Sequence, residues 1–413
     1  LANTHINATR RTNKMARRIN SRLKISGTLQ AKTPLHVGGY GVDVDTDLPL
    51  ARNGKNQLYI PGTSITGVLR AWCEKNFTEK DANRKDIPIK LIGEIFGPKR
   101  EKGVEEGHAS FVLIEDVKIK DAENVLTEIR DGVGIDRFFG TAAEGAKYDR
   151  AILPKGTKLE FEMIVEIGEK HNPVETKAIF GHLLEALQTQ EIRFGASKTR
   201  GLGKVKLFKL HKIQIQDFND ILSWITLDGK GEEITDEDKI KAEIATLGLG
   251  GISKNDSAKL EITICWHPTL PLMNKAGYEG IGVDMLPVTS GIENGKLSLV
   301  LVGSSIKGAF RSQAERIVRT LGNSTAKDKK FNDQIDEIPF VENLFGVRKK
   351  QVKDESGDDE EKKKEKDRKK KLGLGALSID DCYAKEEFEM TVKQWREVEQ
   401  AQVFDDTSYF KKV

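Results

Sequence analysis

Apolar and polar positions along this chain form short alternating runs broken by two helical stripes. Leu23, Ile25 and Leu29 alternate with polar neighbours as one face of a strand, which runs out at Thr33-Pro34-Leu35-His36-Val37-Gly38-Gly39. A loop rich in Gly and Asp follows, then the apolar run Leu58-Tyr59-Ile60. Ile65, Val68, Leu69 and Trp72 next recur at helical spacing and predict a helix over about 64–75. Phe111-Val112-Leu113-Ile114 and the alternating stretch 158–165 predict two strands. Ile179, Phe180, Leu183, Leu184 and Leu187 make the stripe of a second helix, and 204–208 a closing strand. The order βαββαβ, with loop insertions, is the ferredoxin-like arrangement, an α+β fold expected over residues 21–215.

The pattern then begins again. Pro61-Gly62-Thr63-Ser64-Ile65-Thr66-Gly67-Val68-Leu69-Arg70 has a counterpart 241 positions later, Val302-Gly303-Ser304-Ser305-Ile306-Lys307-Gly308-Ala309-Phe310-Arg311, again after an apolar run, Leu299-Val300-Leu301. Glu342-Asn343-Leu344-Phe345-Gly346 echoes Glu94-Ile95-Phe96-Gly97, and Ile379-Asp380-Asp381 echoes Ile114-Glu115-Asp116. A strand, a Gly-Ser turn and a helix start recurring in order predict a second, tandem ferredoxin-like domain over 259–413. It would open with a strand at Leu260-Glu261-Ile262-Thr263-Ile264, after a connector at 216–258. The second helix and last strand of this copy have no counterpart before Val413, so it is expected to be incomplete.

Charge changes the picture locally. Residues 1–24 hold seven basic groups and no acid, and residues 1–20 read as a flexible basic arm whose first 14 positions precede Met15. In 348–371, twenty of twenty-four residues are ionisable, twelve basic and eight acidic, which predicts a solvated loop insertion. Without these two segments the formal charge of +3 becomes an excess of acid, which excludes a uniformly basic nucleic-acid binder and leaves only local patches. Cys73, Cys265 and Cys382 lie far apart with no Cys-x-x-Cys, so neither a disulfide framework nor a zinc knuckle is indicated. A reducing, cytoplasmic setting is expected. No apolar run has the length of a membrane span, and no membrane partner is expected.

Three elements carry candidate chemistry. Amides and hydroxyls at the two helix starts, Gly62, Thr63 and Ser64 beside Arg70, and Gly303, Ser304 and Ser305 beside Lys307 and Arg311, would suit a phosphate; the same residues would equally serve as plain N-caps. The glycine loop Gly195-Ala196-Ser197-Lys198-Thr199-Arg200-Gly201-Leu202-Gly203 precedes a strand rather than a helix, so it is no dinucleotide fingerprint. Its backbone could approach phosphates closely with Lys198, Thr199 and Arg200, or it could be an ordinary turn. Finally, Asp43, Asp45 and Asp47 alternate in an acidic loop. Alone this reads as a solvated turn. Beside bound phosphates, a carboxylate must hold a cation or move a proton, which points to metal-assisted phosphodiester cleavage.

The series Thr33-Pro34-Leu35-His36-Val37-Gly38, Asp47-Leu48-Pro49, 60–70, Ile95-Phe96-Gly97 and 194–203 resembles the RAMP superfamily. More narrowly, it resembles the backbone subunits of type III CRISPR-Cas effector complexes, and two copies on one chain resemble the fused subunits of type III-D systems. Gly132-Val133-Gly134-Ile135-Asp136-Arg137-Phe138-Phe139-Gly140-Thr141-Ala142 is similar to the start of that family's thumb hairpin, here about 132–155, with Ile135, Arg137 and Phe138 at its tip. The resemblance implies a ribonucleoprotein subunit of antiviral defence. It would bind CRISPR guide RNA and complementary target RNA beside other effector subunits in a filament-like complex. It also implies that Asp47, with a divalent metal (magnesium is the expected one), supports cleavage of target RNA by the RNA's own 2′-hydroxyl. Asp284, three residues before Pro287 rather than two, is the corresponding candidate in the second copy. The rival readings are a catalytically silent scaffold and a guide-processing endoribonuclease working through His36 or His108.

Overall fold

The computed structural model describes residues 18–39, 46–82, 84–99, 107–122, 125–211, 213–217, 233–255, 258–276, 285–291, 296–335, 338–346, 374–385, 388–391 and 393–395. The basic arm up to residue 17, Asp43, Asp45, Asp284 and the tract 348–371 lie outside the described residues.

In the first region the elements are β1 (Ile19–Ala31), α1 (Gly62–Asn76), β2 (Val112–Ile114), β3 (Glu128–Ile135), β4 (Ala142–Ile152), β5 (Lys158–Gly168), α2 (Pro173–Gln188) and β6 (Val205–Leu210). The sheet runs β6-β1-β5-β2, every neighbour antiparallel, which is the ferredoxin-like order; among the described residues β3 and β4 pair with each other as a separate hairpin. The period of two decides which face of β1 is covered. Leu23, Ile25 and Leu29 have no exposed surface and pack in one core with Ile65 and Leu69 of α1 and Ile179, Phe180, Leu183 and Leu187 of α2. Each such side chain contributes about 1.5–3 kcal/mol by leaving water. On the other face of the same strand, Arg22 and Lys24 pair with Glu166 and Glu162 of β5 at 2.8 and 3.3 Å. Asn172 starts α2, its side chain accepting from the amides of Val174 and Glu175.

Two expectations change here. The stretch 216–258 is more than a connector. After β7 (Gln214–Asp217), which extends the β1 edge, α3 (Glu237–Ala245) is capped by Asp236 and buries Ile240 and Ile244 in the first core, and Leu247 joins them. Its apolar spacing was hidden among charges. The strand expected at 260–264 has no ladder partner among the described residues, and Leu260, Ile262 and Ile264 are exposed. Its equivalent, β1, is a strand because β5 and β6 flank it; without such neighbours an extended segment has nothing to bond.

The second region contains β8 (Thr289–Gly291), β9 (Lys296–Leu301), α4 (Gly303–Leu321), β10 (Cys382–Tyr383) and β11 (Phe388–Thr391). Strand β9 pairs antiparallel with β8, β10 and β11. Its apolar cluster, Ala276, Val288, Val300 and Val302, is far smaller than the first core.

Candidate nucleic-acid interface and cleavage site

The two Gly-Ser turns share a geometry that explains their sequence. Neither α1 nor α4 has a side-chain cap of its own. Instead the amide of Gly62 donates to Asp116 Oδ1 at 2.9 Å, and that of Gly303 to Asp381 Oδ1 at 2.8 Å. A Cβ on Gly62 would lie 2.1 Å from the Ile114 carbonyl oxygen, and one on Gly303 would lie 2.5 Å from that of Ile379. The leading glycine of each motif therefore serves the fold, and an internal carboxylate occupies the anion position expected for phosphate. Thr63 is exposed and Ser64 half-buried; Ser305 is exposed and Ser304 half-buried.

The basic residues of these helices are also engaged. Arg70 pairs with Glu74 at 2.9 Å, and Arg311 repeats the pairing with Glu315 at 2.7 Å while donating to the carbonyls of Gly346 and Ile335. Lys307 is buried and donates to the Leu377 carbonyl at 2.8 Å. Burial, with Arg200 and Arg311 nearby, pushes its ammonium down to about 8. The sequence does not reveal these partners, because they come from across the fold or from the next helical turn.

Lys198 and Arg200 of the glycine loop are placed differently. Arg200 is exposed, and its guanidinium donates to Tyr148 Oη at 3.4 Å and Ser197 Oγ at 3.2 Å. Arg150 donates to the same Ser197 Oγ and lies over the Tyr148 ring, 5.6 Å from its centroid. Burial, and then repulsion from Arg200, disfavours the Arg150 charge, and burial alone pushes Lys198 down. Such under-compensated cations favour an anionic ligand. The Thr199 carbonyl accepts from Ile379 of the second region, and Gly201, at φ +92°, leaves space that a Cβ would take from Asp381. Sequence reasoning missed Tyr148 and Arg150; only their alternation on β4 could have shown that they share a face.

Asp149, between them, points to the other face and meets the acidic loop. Its Oδ1 accepts from Thr46 Oγ1 and from the Asp47 amide, both at 2.7 Å, and its own amide donates to Asp47 Oδ2 at 3.1 Å. The amide of Ala151 adds a bond to the Leu48 carbonyl at 3.1 Å. Asp47 is exposed, with its backbone and one carboxylate oxygen fixed. Among the described residues no cluster of three or more His, Cys, Asp or Glu could hold a metal. His36 is buried, its Nδ1 donates to the Ala151 carbonyl at 2.7 Å, and burial lowers its affinity for a proton, so it is a structural residue. His108 is exposed with Nδ1 donating to the Ala109 carbonyl.

The hairpin of β3 and β4 spans 128–152, slightly earlier than expected. At its tip Asp136 Oδ1 accepts from the amides of Phe138 and Phe139, presenting an edge-to-face aromatic pair, 46% and 75% exposed. Ile135 is half-buried, and its carbonyl accepts from Arg137, whose Nε pairs with Glu315 of α4 at 2.5 Å. Arg137 thus ties the hairpin to the second region. At the hairpin base, Arg130 donates to Asp381 at 3.0 Å, and Glu128 accepts from Ser290 Oγ.

A ferredoxin-like core thus carries a separate hairpin with a basic glycine loop on one side of β4 and an acidic loop on the other. The chain matches the RAMP superfamily over residues 28–206 and 284–405, and it belongs to that superfamily. It is 28% identical over 196 residues to the "CRISPR system Cms endoribonuclease Csm3" of Methanocaldococcus jannaschii, covering 44% of this chain and 77% of that protein. It is 28% identical over 203 residues to the protein of the same name from Streptococcus thermophilus, covering 46% and 89%. A crystal structure of a Csm3-Csm4 subcomplex in the type III-A CRISPR-Cas interference complex aligns with a TM-score of 0.33 at 19% identity, covering 55% of this chain and 97% of that one. No helix among the described residues is long and apolar enough to cross a membrane.

Proposed function

We propose that this chain is a guide-RNA-binding backbone subunit of a type III CRISPR interference complex, made of two fused RAMP copies, that cleaves complementary target RNA at Asp47. The observation that carries this reading is the strand β4. One face sends Tyr148 and Arg150 to the basic glycine loop, and the other sends Asp149 to hold the exposed carboxylate of Asp47. The names of the relatives, an endoribonuclease in both, agree with it.

Lys198, Arg200 and Arg150 hold phosphates of the guide, while base pairing supplies sequence choice. Gly67 and Gly308 support close approach of the RNA backbone. Both lie exposed in helices, and a Cβ on either would meet nothing within 4 Å, so no contact inside the chain requires glycine there. The exposed carboxylate of Asp47 would be the group to hold a magnesium ion, which takes one or two carboxylates together with substrate phosphate. When bound it would neutralise the scissile phosphate and polarise the attacking 2′-hydroxyl. Asp47 orients this arrangement, and Asp149 keeps Asp47 in place. Cleavage mapping on a labelled complementary RNA tests the proposal. Asp47→Asn should lose one cut with guide and target binding unchanged, and chelating divalent metal should silence the Asp47 and Asp284 cuts alike. An unchanged cut in Asp47→Asn would make Asp47 only a loop residue, and the active carboxylate would then lie at Asp43, Asp45 or in another subunit. Asp284→Ala should remove a different cut if the second copy is active.

A further inference from the structure

One buried residue of the second region bonds the hairpin tip of the first at both backbone and side chain. Gln334 lies in the short helix Phe331–Ile335 and is 2% exposed. Its Oε1 accepts from the backbone amide of Arg137 at 2.8 Å, and its Nε2 donates to Asp136 Oδ2 and to the Lys329 carbonyl, both at 3.0 Å. The oxygen and both amide hydrogens of the side chain are thereby used. Its own carbonyl accepts from Arg319, and that of Ile335 from Arg311 at 3.3 Å, which ties the short helix to α4. The Phe331 ring of the same helix lies against the hairpin at Gly134, where a Cβ would come within 2.5 Å of it.

These contacts differ in kind from the Arg137–Glu315 pair. A guanidinium reaches its carboxylate through a long, flexible side chain and can follow a shift of the backbone that carries it. A bond to the Arg137 amide cannot, because the rigid peptide group is the main chain itself. The other bond acts one residue earlier, on the carboxylate that organises the tip. Asp136 Oδ1 takes the amides of Phe138 and Phe139 at 2.8 and 2.9 Å, while Oδ2 takes Gln334. The two rings so presented stand edge to face, centroids 4.9 Å apart, and both are exposed. Exposed aromatic side chains can stack on nucleobases whatever their sequence.

We propose that Gln334 is a positioning residue: from the second region it sets where along a guide–target duplex the Phe138–Phe139 pair of the first region meets the bases. The place is decided across the boundary between the regions, by a buried side chain that itself touches no RNA, and not by the hairpin strands alone. Hydrogen bonds of this supporting kind hold a working side chain in register. The inference rests on the guide-binding part of the proposed function and is independent of cleavage at Asp47.

The test is a polarity-swap cycle in the full chain within its effector complex, loaded with guide RNA and a complementary RNA carrying 2-aminopurine at successive positions. That base brightens when it leaves the stack, so one position should stand out in the unsubstituted complex. Gln334→Glu sets two carboxylates face to face, and Asp136→Asn sets two amide groups face to face. Each should abolish the single maximum and spread the signal to neighbouring positions, with guide affinity unchanged. Both together again oppose one donor to one acceptor and should return the maximum to its original position. Hydrogen exchange of the RNA-free chain follows the same cycle at residues 135–139, faster in each single variant and restored in the double. A maximum that stays in place in either single variant, a double variant that does not restore it, or unchanged exchange in the single variants would overturn the proposal. Guide binding with no maximum would overturn it alone, and absence of guide binding would overturn the function on which it rests as well. Asp47→Asn should keep the original maximum, so a silent Asp47 leaves this result intact.

Discussion

Asp149 and Asp47 bond each other reciprocally: the Asp47 amide donates to Asp149 Oδ1 at 2.7 Å, and the Asp149 amide donates to Asp47 Oδ2 at 3.1 Å. The pair joins a hairpin strand to the acidic loop more than a hundred residues earlier. If Asp149 acts by position, its oxygen matters more than its charge. Asp149→Asn keeps that acceptor and should retain cleavage, whereas Asp149→Ala should lower the single-turnover rate roughly 10²-fold through misplacement of Asp47, with guide affinity unchanged. Equal loss in both variants would show that the charge itself is required.

Matched glycines of the two motifs should behave oppositely. Gly62→Ala and Gly303→Ala force a Cβ within 2.1 and 2.5 Å of carbonyl oxygens and should destabilise by several kcal/mol, on the order of the largest single-site effects. Gly67→Ala and Gly308→Ala meet nothing within 4 Å and should stabilise the free chain by about 0.5–1 kcal/mol. They should nonetheless weaken guide RNA binding if RNA uses the space. Denaturant melts paired with RNA titrations read both effects.

The Arg137–Glu315 pair should hold the regions together, since Glu315 is only 1% exposed. Arg137→Met should cost about 1.5–3 kcal/mol, the range for a hydrogen bond to a charged group, because Glu315 keeps its pair with Arg311. Arg18→Met, whose pair with Glu169 is exposed on both sides, should cost about 0–1 kcal/mol. Equilibrium unfolding of the two variants provides the comparison.

Lys307 should leave a pH signature. Its folded value is lowered from 10.5 to about 8, so the fold disfavours the charged form. Below about pH 8 both folded and unfolded chains hold the proton and the penalty is in force. As pH rises from about 8 toward 10 the folded chain sheds it first, so stability should increase across that window. Lys307→Met should remove the rise. Denaturation at about pH 7, 8 and 9 would show it, and an unchanged slope in the variant would assign the effect elsewhere.

The sequence alone determined the local elements and their order. The alternation at Leu23, Ile25 and Leu29 and the stripe from Ile179 to Leu187 are properties of spacing, and spacing decides which side chains share a face before any packing occurs. It also showed the repeated Gly-Ser turn, because identical local constraints at Gly62 and Gly303 leave an identical residue pattern. Tertiary structure decided what those residues do. Arg70, Arg311 and Lys307 read as phosphate ligands, yet carboxylates and carbonyls in the folded chain engage them. Asp116, Asp149, Tyr148 and Arg150 gave no sign of their roles, because those depend on partners 47 to 102 positions away. A polar residue's function lies in its neighbours, and pattern along the chain specifies burial while only folding brings distant charges within bonding distance.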